Sequence, residues 1–431
     1  MSPDYPTTPE RNPEQDDDEG LDAPDREFSD QERERLAAER LDEVRQYFKD
    51  RQDRREVVAV TATPMGQVLD WVPAESLSPD GKLADPPDED RIDLRSLSEV
   101  PADDRGDAVR PMELVPFELM AEDAQRGPAG TVPLVRRDID RIVTTKSLGD
   151  FLSKHGRAAR LLPDGLGPEV ALPEDGTLHK YAYSAHWVTC YGTEGNINAW
   201  DPYLEWSDEF SLGQSALTRG SGSSKQTIES GHQECRDIYS DWVPHLFVFY
   251  TTNGYTERGD NKGGYNQDVD GWVQYSSRIF PAALSTPVST FGGTQYILNL
   301  KWQLWQGNWW FRVNGTWIGY YPASLFNNTG LRSEAEKVAW YGEIVDSGDH
   351  AGTTRTDMGN GHWPYEGWQR CAYMSNLSYQ SGTGGQMARY NPGTVYASHP
   401  SCYGIESHFD NTGSWGPYFW WGGSGKNSHC P

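Results

Sequence analysis

Two glutamates, Glu229 and Glu343, have the residue type and the setting needed for acid–base chemistry. Each is the only acidic residue in a short strand-like segment, Thr227-Ile-Glu-Ser-Gly231 and Val338-Ala-Trp-Tyr-Gly-Glu-Ile-Val345. Two carboxyl groups brought close together cannot both ionise cheaply, so such a pair shares one proton. The ionised member can take a proton from water while the neutral member hydrogen-bonds the scissile carbonyl. The pair predicts peptide hydrolysis at acid pH, and which glutamate is the base stays open.

Side chains that could assist this pair follow from the two-residue period of a strand. Alternation places Tyr341 on the same face as Glu343, and Gln233 on the same face as Glu229. Either could hydrogen-bond a developing oxyanion. Flat aromatic rings could form the walls of a substrate cleft, although packing in the core explains any one of them more simply. The candidates for these walls are Trp309, Trp310, Tyr320 and Tyr321.

The sequence gives little evidence for other catalytic motifs or for a metal site. The sequence contains no G-x-S-x-G and no H-E-x-x-H, which argues against a serine hydrolase triad or a zinc protease. The segment Asn266–Gly271 resembles the front of a calcium loop, but Ser277 stands where a bidentate glutamate belongs. We therefore expect neither a metal nor another cofactor.

Composition divides the 431-residue chain into two parts. Residues 1–130 contain 35 Asp and Glu against 16 Lys and Arg, whereas the remainder contains 29 against 22. Tryptophan has the opposite distribution, with 16 of 17 at or after Trp187. The first part is therefore acidic and polar, and the second is rich in aromatic residues. Acidity throughout argues against a nucleic-acid partner, because phosphate binding requires a basic surface.

The coarse pattern predicts a small α+β segment followed by a mainly β body. An apolar stripe that includes Val44 and Phe48 indicates a helix from about residue 29 to residue 54, and residues 57–62 resemble a strand. From about residue 179, short strands alternate with turns. Strong examples are His245–Tyr250, Tyr296–Trp305 and a hairpin of residues 309–320 that turns at Asn314-Gly315. Many strands without interleaved helices predict an antiparallel β-sandwich.

Cysteines and segment hydropathy give two further expectations. Cys402 and Cys430 flank the last Trp/Gly-rich segment and are the best candidates for a disulfide; the pairing of Cys190, Cys235 and Cys371 stays open. No apolar run long enough for a membrane span is present, so no membrane partner is expected. The N-terminus shows no secretory signal pattern.

Several segments together resemble the neprosin family of glutamic prolyl endopeptidases. The resembling segments are His179–Ala182, Ile197–Pro202, Glu209–Gln214, Thr227–Gly231, Leu246–Thr252, Asn308–Phe311, Ile318–Phe326, Trp340–Glu343, Met358–His362 and Cys402–Tyr403. The resemblance implies a β-sandwich catalytic domain over residues 179–431, Glu229 and Glu343 as the catalytic pair, and a proline-containing protein or peptide as substrate. It also implies an extracellular protein, although no signal peptide is visible and the export route is unknown.

The N-terminal part resembles the activation peptide of that family, through a helix at residues 41–48, Val57–Val60 and Gly66–Asp70. Gly130–Arg137 is similar to the segment between propeptide and catalytic part. The resemblance implies a zymogen whose intramolecular propeptide is removed. We expect a disordered acidic tail over 1–28, a propeptide-like region over 29–130 and a linker or processing region over 131–178.

Two other functions suit a Trp-rich β-sandwich with paired carboxylates. A glycosidase also uses two carboxyl groups, and a lectin-like module without catalysis would stack sugars on exposed tryptophan. The first alternative predicts sugar release without peptide cleavage. The second predicts carbohydrate binding that does not depend on either glutamate.

Overall fold

The structure is a computed structural model that describes residues 30–88, 112–144, 146–154, 179–347 and 353–430. The tail expected over 1–28 lies outside these ranges. The part of the expected processing region after residue 154 also lies outside them.

The described part before residue 155 forms a small α+β unit. Its helices are α1 (Asp30–Asp53) and α2 (Leu148–Phe151), and its strands are β1 (Ala59–Ala62), β2 (Val68–Pro73), β3 (Met112–Leu114) and β4 (Thr131–Val135). Strands β1, β2 and β4 form an antiparallel sheet in that order. Because β4 pairs with β2, this unit continues beyond residue 130, the boundary expected from the sequence.

The stripe predicted for the N-terminal helix is the face that packs. Val44 and Phe48 on α1 are buried, and the Phe48 ring meets the Phe151 ring edge-on at a centroid distance of 5.7 Å. The contact joins α1 to α2, and residues 152–154 continue directly from α2 into the body. The packing of α1 therefore helps to place the chain segment that ends at Lys154.

The body after residue 178 contains sixteen described strands and one short α-helix, α3 (Arg236–Tyr239). The strands are β5 (His179–Cys190), β6 (Gly192–Asn198), β7 (Phe210–Arg219), β8 (Gln226–Cys235), β9 (His245–Thr251), β10 (Gly263–Tyr265), β11 (Val273–Gln274), β12 (Gln295–Trp305), β13 (Asn308–Val313), β14 (Thr316–Pro322), β15 (Ala335–Val345), β16 (Ala372–Gln380), β17 (Met387–Arg389), β18 (Thr394–Ala397), β19 (Gly404–His408) and β20 (Tyr418–Gly422).

These strands form two large sheets. The seven-stranded sheet has the order β10-β9-β8-β7-β15-β5-β18, and all its pairs are antiparallel. The second sheet follows the path β11-β14-β13-β12-β6-β16-β20-β19, with β17 beside β16 and β3 beside β12. The fold class expected from the sequence, a mainly β antiparallel sandwich after a smaller α+β segment, is confirmed.

The inner faces of the two sheets share one aromatic-rich core. Trp340 on the first sheet donates a hydrogen bond from Nε1 to Oγ1 of Thr193 on the second, at 3.1 Å. In the opposite direction, Trp302 donates to Oγ of Ser230, at 2.8 Å. These bonds satisfy the buried N–H groups of Trp340 and Trp302 and link the two sheets across the core.

Two local predictions about the body are confirmed. The hairpin is formed by β13 and β14, with the tight turn at Asn314 and Gly315. Cys402 and Cys430 form a disulfide with their Cα atoms 5.2 Å apart. In the described part of the chain, no helix combines the length and the apolar character needed to span a membrane.

The N-terminal unit covers parts of the body. Strand β3 pairs in parallel with the start of β12. Leu77 and Leu83 pack against Trp310, Trp317 and Tyr320 on the second sheet. These contacts bury aromatic side chains of the body beneath residues that precede it.

Candidate active site

The candidate site lies on the face of the seven-stranded sheet that points away from the core. Glu343 is on β15 and Glu229 is on β8, with β7 between these two strands. Between the two glutamates along the sheet, Tyr341 of β15 pairs with Gln214 of β7. Gly342 faces the core, where a Cβ atom would lie 2.1 Å from the Trp421 ring. The Gly in Trp340-Tyr-Gly-Glu343 thus lets the sheet pack closely while Glu343 points into the cleft.

The structure brings Glu229 and Glu343 together around a single cation. The Nζ atom of Lys154 lies 2.8 Å from Oε2 of Glu229 and 2.6 Å from Oε2 of Glu343. All three side chains are buried. Because both carboxylates reach one nitrogen atom, they are close enough to act on one small group.

Glu229 is held by three neutral donors in addition to Lys154. Its Oε1 accepts hydrogen bonds from Thr227 Oγ1 at 2.8 Å and from Tyr255 Oη at 2.5 Å. Its Oε2 accepts a hydrogen bond from Gln214 Nε2 at 3.1 Å. These donors fix the orientation of the Glu229 carboxyl group.

Glu343 has a different set of neighbours. Its Oε1 lies 2.7 Å from Nδ1 of His179, the first residue of β5. Burial favours a raised pKa for Glu343, but the Lys154 ammonium and then His179 outweigh burial and hold the pKa below its usual value. The carboxylates in turn outweigh burial at Lys154 and raise the pKa of its ammonium. With Lys154 in place, Glu343 and Lys154 are therefore both held in their charged forms.

Tyrosine and alanine side chains form the cleft beside the pair. Tyr183 and Tyr341 pack with ring centroids 5.0 Å apart, and Ala216 and Ala339 lie with them in one cluster. Lys225 and Lys337 also line the cleft. The cleft therefore joins the carboxyl pair to a shallow apolar surface with aromatic walls.

The four aromatic residues expected to wall the cleft lie elsewhere. Trp309, Trp310, Tyr320 and Tyr321 are all buried on β13 and β14 of the other sheet. Trp309 donates from Nε1 to the Leu331 carbonyl, and Tyr321 stacks on Trp302 in the core. The sequence pattern identified buried aromatic strands correctly but assigned them to the wrong side of the sandwich.

The two expected oxyanion candidates have different positions. Tyr341 lines the cleft, with Lys154 Nζ 5.7 Å from its ring centroid. Gln233 is buried and occupied, since it donates to Tyr265 Oη and accepts from Tyr239 Oη, each at 3.2 Å. Gln233 therefore makes its hydrogen bonds with Tyr239 and Tyr265 and does not contact the pair.

Besides Thr227, five residues that contact the pair were not identified from the sequence, namely Lys154, His179, Tyr181, Gln214 and Tyr255. His179 and Gln214 fall within segments that resemble the family, and Gln214 lies on a strand, so alternation and that resemblance could have suggested them. Lys154 and Tyr255 lie in irregular segments far along the chain from their partners, and no local pattern identifies them.

The calcium-like loop has another explanation in the structure. Asp268 forms an ion pair with Arg137, and Asp270 lies 2.6 Å from Arg51. Both arginines belong to the N-terminal unit. The carboxylates of this loop therefore bind that unit.

The fold and the pair define a class: a β-sandwich protein with two buried carboxylates in a cleft on one sheet. The model of the Neprosin family matches residues 207–424, and the chain belongs to this family. Membership is consistent with a peptidase of the prolyl endopeptidase kind.

Three solved structures show partial similarity. Sheep galectin-11 is 14% identical, with 38% of this chain and 90% of that one covered and a TM-score of 0.20. The agglutinin CG-16 from chicken liver is 8% identical over 38% and 93%, also with a TM-score of 0.20. A β-porphyranase from Bacteroides plebeius is 8% identical over 36% and 52%, with a TM-score of 0.19. Scores this low carry no conclusion about fold or function.

Proposed function

We propose that this protein is a glutamic endopeptidase that cleaves beside proline at acid pH and is made as a zymogen. The observation that carries the proposal is the contact of Glu229 and Glu343 with one nitrogen atom, Lys154 Nζ. Two carboxyl groups at this separation can bind one water molecule once the ammonium has left. They then have the arrangement that acid peptidases use for hydrolysis.

The proposed reaction uses one proton held by the pair. The ionised carboxylate takes a proton from water, and the water oxygen attacks the carbonyl carbon of the scissile peptide bond. The neutral carboxyl group hydrogen-bonds the carbonyl oxygen and later gives its proton to the leaving nitrogen as the C–N bond breaks. The pair ends the cycle with one proton, and ionisation of both members stops it.

Lys154 supports the zymogen part of the proposal. Its ammonium occupies the position between the carboxylates that the attacking water needs, and it also cancels the shared-proton state. Lys154 belongs to the segment that continues from α2, in the unit before the body. The described N-terminal unit thus inserts its own cation into the candidate site.

Other contacts of the N-terminal unit favour release at acid pH. Lys146 lies 2.6 Å from Asp237, and Arg51 lies 2.8 Å from Asp260. As at the pair, the N-terminal unit supplies the cation and the body supplies the carboxylate. The pKa of Glu343 is lowered in the folded chain that contains Lys154. The ion pair therefore stabilises the contact between the N-terminal unit and the body at pH values above the usual carboxyl range. This stabilisation is lost as the pH falls through the lowered pKa of Glu343.

The proposed proline preference rests on the shape of the cleft. Ala216 and Ala339 leave space beside the pair, and Tyr183 and Tyr341 border that space. A flat, compact pyrrolidine ring can pack against aromatic faces there.

The Cys402–Cys430 disulfide supports an oxidising, extracellular setting.

The test is digestion of a set of proline-containing peptides between pH 3 and pH 8, after incubation of the full chain at about pH 4. Its products are identified by mass. We expect cleavage beside proline at acid pH and a loss of about 10²–10⁴-fold in kcat/KM for both Glu229→Gln and Glu343→Gln.

Glu336→Gln is the matched control, because Glu336 lies on the same strand as Glu343 but is exposed and away from the cleft. The control should retain the activity of the wild type. Peptide cleavage that survives either cleft substitution would overturn the proposal, as would release of sugar without peptide cleavage. A full-length chain that keeps its mass during long acid incubation would contradict self-processing.

A further inference from the structure

The loop after β9 places one tyrosine hydroxyl against the candidate pair. Tyr255 Oη lies 2.5 Å from Oε1 of Glu229 and 3.3 Å from Oγ1 of Thr227, which donates to the same carboxylate oxygen. The Tyr255 side chain is partly buried. A short hydrogen bond to a charged oxygen is among the stronger ones in proteins.

The backbone at Tyr255 adopts an unusual conformation to reach this position. Its φ is 63°, in the left-handed region that a bulky residue seldom occupies. Gly254 before it is also left-handed, and a Cβ atom there would lie 2.0 Å from the Gly222 carbonyl oxygen. Such conformations persist where the surrounding structure holds them, and they concentrate at functional sites.

Several contacts hold the strained turn in place. The Tyr255 amide donates to Thr251 Oγ1 at 3.0 Å, and the Gly254 amide donates to the Lys225 carbonyl at 2.7 Å. The Tyr255 ring stacks on Phe249, with centroids 5.9 Å apart. Backbone and ring are therefore both fixed, and the hydroxyl has one direction in which to point.

The oxygen atoms of the pair differ in their partners. Oε1 of Glu229 is saturated by Thr227 and Tyr255, so Oε2 of Glu229 is the atom turned toward the gap. Oε2 of Glu343 contacts Lys154, and Glu343 also takes part in a hydrogen bond with the Tyr181 hydroxyl. When Lys154 leaves, Glu229 keeps three neutral donors, whereas Glu343 keeps His179 and Tyr181 and its gap-facing Oε2 loses its ammonium partner.

We propose that Tyr255 is a positioning residue that fixes the Glu229 carboxyl group, so that Glu229 accepts the proton of water and Glu343 supplies one. This inference rests on the function proposed above. It assigns the two roles that the sequence leaves open. The role of Tyr255 is to fix and stabilise the base, without contact with the reacting atoms.

The other charged and titratable groups around the pair define the background of the test. They are Lys154, His179, Tyr181, Tyr183, Lys225, Lys337 and Tyr341. Tyr255→Phe changes none of these groups. The substitution removes only the hydroxyl and keeps the ring that stacks on Phe249.

The test compares pH–rate profiles of the acid-incubated full chain for the wild type, Tyr255→Phe and Thr227→Val, with rates divided by the processed fraction measured by mass. We expect kcat to fall about tenfold to a hundredfold for Tyr255→Phe, as for loss of a hydrogen bond to a charged group. The acidic limb should also move toward higher pH, because protonation of Glu229 becomes easier. Thr227→Val should shift the acidic limb of the pH–rate profile in the same direction, but by a smaller amount.

Tyr390→Phe is the control, since it removes another buried, hydrogen-bonded hydroxyl that lies 3.0 Å from Ser184 Oγ and outside the cleft. It should leave the limb in place. A Tyr255→Phe profile that is lowered evenly, with no shift, overturns the inference and shows a structural role only. If Glu229→Gln remains active, the proposed function itself has failed; if only the Tyr255 shift is missing, the function stands and this inference does not.

Discussion

Strand β8 contributes one buried glutamate to each of two carboxyl pairs on its opposite faces, and the two pairs have different surroundings. Glu229 on the outer face shares Lys154 with Glu343, whose pKa is held below its usual value. Glu234 on the inner face has Asp201 as its partner, and burial, the hydrogen bond with Asp201 and nearby negative charge raise the pKa of Glu234 to about 9. The strand and the kind of side chain are the same at both positions.

The difference shows what one cation does to a pair of carboxyl groups. Burial favours the neutral form at both positions. At Glu234, the neighbouring Asp201 adds to the effect of burial, and Glu234 keeps its proton. Beside Lys154 the ammonium reverses the balance, and Glu343 loses its proton. The proposed active pair would thus resemble the Asp201–Glu234 pair, with a shared proton, after Lys154 has been withdrawn.

The largest effect should come from Lys154→Met, which removes the cation and keeps an apolar side chain of similar length. Two buried carboxylates would be left without their partner, and breaking a buried ion pair in this way costs about 3–5 kcal/mol. We expect a loss of that size in the free energy of unfolding at pH 7 and a smaller loss at pH 4, where the carboxyl groups can bind protons. Urea unfolding of the full chain at both pH values measures it.

Lys262→Met is the control, because Lys262 forms an exposed pair with Glu257. Equal losses at pH 7 and pH 4 for Lys154→Met would contradict the account of the pair. The Lys154→Met variant should also begin to cleave peptides after a shorter incubation at acid pH than the wild type needs.

The Asp201–Glu234 pair gives the opposite pH dependence. With a pKa near 9, folded Glu234 binds more protons than the unfolded chain between the usual carboxyl range and pH 9, so stability falls as pH rises through that window. Glu234→Gln mimics the neutral form and should flatten this dependence. We expect the variant to gain about 1–3 kcal/mol on the wild type between pH 5 and pH 8, measured by thermal unfolding. A wild-type curve that rises over this range would refute the assignment.

The smallest effect should come from pairs that water reaches. Arg35 contacts Glu39 at 3.2 Å, and the two side chains are 65% and 58% exposed. Arg35→Gln should lower the free energy of unfolding by about 0.2–1 kcal/mol, the range for exposed pairs. The difference should shrink in 1 M salt because screening acts on exposed charges. A loss as large as that of Lys154→Met would erase the distinction between buried and exposed pairs.

Local periodicity was enough to predict the framework of the site. Strand alternation placed Glu343 with Tyr341, and the turn residues Asn314 and Gly315 predicted the β13–β14 hairpin, because these features depend on neighbours in the chain. The helix stripe at Val44 and Phe48 was predicted for the same reason. Together with the family resemblance, these patterns predicted Glu229 and Glu343 as the candidate pair, and the structure places both beside Lys154.

The remaining parts depend on contacts between distant segments. Lys154 meets Glu343 across 189 positions of sequence, and Tyr255 reaches Glu229 only through a left-handed turn. Alternation predicts which residues share a face of a strand, but it does not predict what packs on that face. For that reason Trp310 was expected in the cleft, although it lies beneath the N-terminal unit on the other sheet.

That cover over Trp310 and Trp317 supplies an optical signal. Leu77 and Leu83 pack against these rings from the N-terminal unit. If the unit departs during processing, the two indoles pass from an apolar setting into water, and tryptophan emission should shift to longer wavelength. Activation could then be followed in real time in a fluorimeter, without a labelled substrate and independently of catalysis.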